Sequence, residues 1–211
     1  RQSGWDAAVT VRGSEVLDVR GAAATKRLLG MAIDLGTTKI VGYCLDLESG
    51  ELVKGASMMN PQSTYGGDIM SRLTYAMQGW ANRRRLHETV VGAVNDLIAE
   101  MCPEGYAPEE VVEVVIVGNS AMHHLFFDLP IDQLAVSPFA PAIQAAFDVK
   151  ARDLGLRVAP GAYVHSLPLV GGFPMSTQVG ACAAMGWDFY DMGYRSGQVA
   201  IRVKNGENPA G

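Results

Sequence analysis

The chain has 211 residues, 48% hydrophobic and 18% charged, with a net charge of −5. That composition builds a core and excludes a disordered chain, and the acidic balance offers no broad basic face to nucleic acid. No apolar run is long enough to span a membrane. Residues 1–27 read as a lead-in. Ala8–Val11 and Glu15–Val19 flank Arg12-Gly13-Ser14 as a small hairpin, and Gly21–Lys26 forms a linker. The globular domain begins near Leu28 and extends to 173, with 174–211 a divergent or truncated remainder. Met31–Ile33 is an apolar strand ending on Asp34. A second strand-like run follows, then a third over Glu51–Met59. Pro61–Gly67 is a loop, and Asp68 caps a short helix running to Met77. A longer helix spans Ala81–Met101, with Leu86, Val90, Val94, Leu97, Ile98 and Met101 on one face. Val111–Val117 is a β-branched run suited to a central parallel strand. Gly118-Asn119-Ser120 turns it into a helix, Ala121–Leu129. The proline-bearing stretch 130–160 is a surface connection with a short helix near Gln144–Leu154. A last strand covers Tyr163–Val170, and Thr177–Trp187 is a small-residue-rich helical segment.

Cys44, Cys102 and Cys182 have neither zinc nor iron–sulfur spacing, so each reads as a buried small hydrophobe in a reducing, cytoplasmic compartment. Arg83-Arg84-Arg85 reads as the solvated start of a helix. His123 and His124 are adjacent on a helix and diverge by about 100°, which disfavours joint chelation. One is expected to be packed and the other capping or at the surface. Asn60, Tyr65, Gly66 and Asp68 make a polar loop suited to a cleft-side role or to contact with a partner protein.

The candidate site lies at two strand ends. Asp34 is followed by Gly36, which lets backbone approach an anion, and by the hydroxyls of Thr37 and Thr38. Asp34 can hold a Mg²⁺-bound water. Lys39 either neutralises phosphate or faces solvent. Gly118 and Asn119 close the central strand where a helix begins, which favours an anion or, equally, a plain N-cap. In open α/β sheets ligands sit at the carboxyl ends of strands, and both turns fall there.

Three strands in a meander followed by helix–strand–helix–strand–helix resemble a ribonuclease-H-like half-domain, an α/β fold with a mixed sheet flanked by helices. DLGTTK (34–39) resembles the first phosphate motif of the ASKHA superfamily, the ATPase fold of sugar kinases, heat-shock chaperones and actin. More narrowly, five blocks over residues 9–173 resemble the reductive activators of corrinoid-dependent methyltransferase proteins. They are MAIDLGTTKIVGYCLDLESGELV (31–53), NPQSTYGGDIMSRL (60–73), VVIVGNSAMHHLFFDLP (114–130), SPFAP (137–141) and LPLVGGF (167–173).

The resemblance implies ATP-dependent reduction of a Co(II) corrinoid to Co(I), with ATP and Mg²⁺ as ligands and a corrinoid protein and an electron-donor protein as partners. Asp34 would position Mg²⁺ through a water, and Gly36, Thr37, Thr38, Lys39, Gly118 and Asn119 would hold phosphates. Such activators carry a [2Fe-2S] domain at the amino end. No cysteine precedes Cys44, so that cluster is expected upstream of Arg1. No second DxGT follows Phe173, so this chain supplies one lobe and is expected to hydrolyse ATP weakly or not at all alone. The alternative is a non-catalytic lobe that docks a corrinoid protein or self-associates as a homodimer. VGNSAMHH and NPQSTYGGD are not sugar-kinase signatures.

Overall fold

The computed structural model describes residues 7–21 and 28–169. Strand β3 (Leu29–Leu35) is buried at all seven positions, and β4 (Lys39–Asp46) folds back on it. β5 (Leu52–Met59) adds antiparallel to β4 at one edge. β6 (Val111–Gly118) runs parallel to β3, and β8 (Tyr163–Ser166) runs parallel to β6. The six-stranded sheet has the order β5-β4-β3-β6-β8-β7, with β7 (Phe147–Lys150) antiparallel to β8 at the far edge. This is the mixed sheet expected from the element order. The β-branched run lies between two parallel neighbours, as its composition implies.

Helix α1 (Ile69–Met77) starts at Asp68, whose carboxylate accepts from the Ser71 amide at 2.8 Å. Helix α2 (Trp80–Met101) buries the six residues of the expected stripe, Leu86 to Met101. It lies close against β4 because Gly42 has no side chain. A Cβ there would sit 2.6 Å from the Met101 Cε. α3 (Ser120–Phe126) is shorter than the expected Ala121–Leu129, because Asp128 adopts a left-handed φ of 50°.

Further expectations change. The last strand ends at Ser166, short of the expected Val170, as Leu169 donates instead to the Gln144 carbonyl at 2.8 Å. The stretch 130–160 is not merely a surface connection, since Ile131, Leu134, Ala151 and Leu156 are buried in the core. Gln144–Leu154 is not a helix: it contains β7 and one 3-10 turn, Ala151–Leu154. Phe147 and Val149 pack on the core while Asp148 reaches His165 at 2.9 Å. That alternation, completed by pairing with β8, outweighs local helix preference. His123 and His124 are both buried, at 2% and 0% exposure. His123 pairs with the Ser166 hydroxyl at 2.7 Å. His124 Nδ1 donates to the Ser120 carbonyl at 2.7 Å, while its Nε2 accepts from the Ala142 amide at 2.9 Å. Burial holds both imidazoles below their ordinary pKa, His123 at about 4.

β1 (Ala7–Arg12) and β2 (Glu15–Gly21) form the expected hairpin. It is tied to the β6–β8–β7 side of the sheet by Arg12 to Glu113 (3.2 Å) and Asp148 (2.9 Å), and by Lys150 to Glu15 (2.6 Å). Cys44 is buried and Cys102 half-buried, both as free thiols. Arg83 and Arg84 are not wholly solvated, since both approach Asp128, at 3.3 and 3.7 Å. No described helix is long and apolar enough to cross a membrane. The expected Thr177–Trp187 helix, Cys182 and most of the linker lie outside the described residues.

Candidate functional site

β3 and β6 run in the same direction and end together, Leu35 opposite Gly118. The turns that leave them therefore emerge side by side. Gly36–Thr38 connects β3 to β4, and a Cβ on Gly36 would meet the Lys39 carbonyl at 2.3 Å. The glycine is thus required by closure of the turn itself, before any ligand is considered.

Asn119 joins the two turns. Its side-chain oxygen accepts from the Ala121 and Met122 amides at 3.1 and 3.0 Å, capping α3, and its Nδ2 donates to Thr37 Oγ1 at 3.0 Å. The N-cap alternative is realised, and the same amide group also bridges the two strand ends. The Ala121 and Met122 amides are consumed by the cap, so the helix terminus does not present them to an anion.

A second asparagine holds the turn from beneath. Asn60 is fully buried. Its Nδ2 donates to the Gly36 carbonyl at 2.9 Å, and its amide donates to the Thr38 carbonyl at 2.8 Å. Its Oδ1 accepts from the Gln62 amide at 3.0 Å and starts the 3-10 turn Pro61–Tyr65. The polar loop of the sequence reading therefore turns Asn60 inward as a brace. With both asparagines in place, the Gly36–Thr38 turn is gripped at three points.

Asp34 is 8% exposed and has no hydrogen-bond or ion-pair partner among the described residues. Burial pushes its carboxyl up to about 6. A buried carboxylate without a donor is costly unless a cation or bound water compensates it. Thr37 is half-buried, while Thr38 and Lys39 are exposed beside it. Lys39 starts β4 opposite Met59. The arrangement offers an acidic group, two hydroxyls and a lysine at one end of the sheet, and these fit a metal-bound polyphosphate. Arg72, which no sequence pattern singles out, lies beneath this region beside Met122. An arginine in an amphipathic helix gives no signal of burial.

A three-stranded meander continued by two parallel strands, with adjacent turns at the ends of β3 and β6, defines a ribonuclease-H-like α/β domain. Within that class, the chain belongs to the RACo middle region family, whose model matches residues 29–188. It is 34% identical over 167 residues to the corrinoid activation enzyme RamQ of Eubacterium limosum, covering 78% of this chain and 28% of that protein. A solved reductive activator for corrinoid, iron-sulfur protein superposes with a TM-score of 0.71 at 28% identity, over 81% of this chain and 27% of that one. The chain thus spans just over a quarter of the length of the relatives it matches.

Proposed function

We propose that this chain is the phosphate-facing lobe of an ATP-dependent reductive activator that returns a corrinoid protein from Co(II) to Co(I). One observation supports the nucleotide part above all: the 3.0 Å bond from Asn119 to Thr37, which fixes two strand-end turns beside the unpartnered Asp34. Family membership and the two corrinoid-related relatives support the corrinoid part.

In this reading Asp34 holds a water on Mg²⁺, which keeps its own waters in preference to a full protein cage. The Thr37 and Thr38 hydroxyls and the Gly36 backbone orient the phosphates, and Lys39 offsets their charge. Asn119 and Asn60 hold these groups in place so that little reorganisation is needed on binding. Bound ATP supplies the free energy that makes reduction of the corrinoid favourable. The electron comes from a donor protein through an iron–sulfur cluster in another part of the full-length protein. The unpaired thiols of Cys44 and Cys102 fit a reducing, cytoplasmic setting.

The test uses full-length protein, a Co(II) corrinoid protein and a low-potential reductant, with Co(I) followed by absorbance. Co(I) should accumulate only with ATP, and Asp34→Ala should abolish this while corrinoid-protein binding persists. ATP-independent Co(I) formation, or full activity in Asp34→Ala, would overturn the proposal.

A further inference from the structure

Arg72, in α1, has no exposed surface. Its Nε donates to the Gly66 carbonyl at 2.8 Å, its Nη1 faces the Met122 sulfur at 3.4 Å, and its Nη2 has no partner among the described residues. Other arginines behave differently. Arg12 pairs with Glu113 and Asp148, and Arg83 and Arg84 approach Asp128. Arg72 alone among the described arginines is fully buried, and no carboxylate of the described residues lies within ion-pair distance of it. The nearby Asp68 carboxylate is engaged in capping α1 through Ser71.

A buried guanidinium beside a carboxylate is a local dipole whose field decays quickly. Arg72 has no described carboxylate in contact and feels Asp68 only at longer range, so burial lowers its pKa and its charge is unfavourable for the protein by itself. Its position is specific. The Met122 sulfur that faces Arg72 is also 3.6 Å from Asn60 Nδ2, and that nitrogen holds the Gly36 carbonyl. Met122 in turn lies on the helix capped by Asn119, which holds Thr37. The charge, opposed only at longer range by Asp68, therefore sits directly behind the turn, separated from it by one asparagine and one thioether.

We infer that Arg72 is the built-in counter-charge for the polyphosphate at the Gly36–Thr38 turn, acting through its field across Asn60 and Met122 and without touching the ligand. The inference rests on the nucleotide reading above. It makes Arg72 a positioning and affinity residue whose effect scales with ligand charge. At an effective dielectric of about 20 and a separation on the order of 10 Å, removing one such charge weakens binding by about tenfold per ligand charge. The loss should be largest for ATP, smaller for ADP and absent for adenosine.

The experiment measures binding of ATP, ADP and adenosine by calorimetry to the full-length protein and to Arg72→Met, Arg72→Gln and Arg72→Lys, alongside ligand-free thermal unfolding. Arg72→Met and Arg72→Gln should lose at least tenfold in ATP affinity, less for ADP and none for adenosine. Arg72→Lys should recover most of the loss, and ligand-free unfolding of Arg72→Met should stay level or rise. If Arg72→Met does not fold, the Lys and Gln variants carry the same comparison. Equal losses for all three ligands, or no loss in Arg72→Gln, would overturn the inference while leaving the nucleotide reading intact. A wild-type protein that binds no ATP would end both.

Discussion

Asp34 should destabilise the ligand-free protein whenever it is ionised. Its carboxyl is raised from 3.8 to about 6 by burial. The folded state therefore holds a proton that the unfolded chain has released between those two values. Stability conferred by the neutral acid is present below pH 3.8 and is lost as pH rises through 6. About two pKa units at 1.36 kcal/mol each make this about 3 kcal/mol above pH 7. Asp34→Asn has nearly the same shape and never ionises. In EDTA, amide exchange in the β3 and β6 segments of Asp34→Asn should be slower than in wild type by roughly a hundredfold at pH 8, provided exchange reports the opening equilibrium. The two proteins should converge near pH 4. Mg²⁺ with ATP should slow exchange in wild type and leave Asp34→Asn unaffected. A difference that is constant across pH, or faster exchange in Asp34→Asn at pH 8, would refute an unpartnered buried carboxylate at this site.

Other consequences are equally specific. Asn119→Ser keeps a good N-cap but is too short to reach Thr37. Calorimetry should show ATP affinity falling by about three- to tenfold, the range of one hydrogen bond, with thermal stability nearly unchanged. Gly36→Ala places a Cβ 2.3 Å from the Lys39 carbonyl, whereas a Cβ on Gly67 meets nothing within 4 Å. Denaturant unfolding should find the first destabilised by about 1–3 kcal/mol or more and the second near neutral. Glu113 is raised to about 7, by burial first, against the opposing pull of Arg12. Its raised pKa means that stability falls as pH climbs from 4.5 through 7. Glu113→Gln should therefore slow exchange in the β6 segment at pH 8 and bring no gain at pH 4.

The sheet was largely legible because its strands carry strong local signals. The almost unbroken Val111–Val117 run, the Leu86–Met101 stripe and the Asp68 cap all form as their patterns imply. The β7 strand was not legible, because Phe147–Lys150 is too short to declare itself and becomes a strand only by pairing with β8. The buried histidines escaped for a similar reason. Beyond the local Ser120 carbonyl, their partners Ser166 and Ala142 are distant in sequence, so little local signal announces that both rings are satisfied inside. At the site, Asp34, Thr37 and Asn119 were readable from the strand–turn pattern. The inward brace from Asn60 and the buried charge of Arg72 depend on tertiary packing and leave no periodic trace.

The claim that the Gly36–Thr38 turn receives a polyphosphate is tested most directly with Mn²⁺-ATP and threonine-methyl-labelled full-length protein. Paramagnetic broadening should strike the Thr37 and Thr38 methyls first, while Thr10 in the hairpin and Thr89 in α2 stay sharp. ATP binding that leaves Thr37 and Thr38 as sharp as Thr10 and Thr89 would place the nucleotide elsewhere and contradict the account.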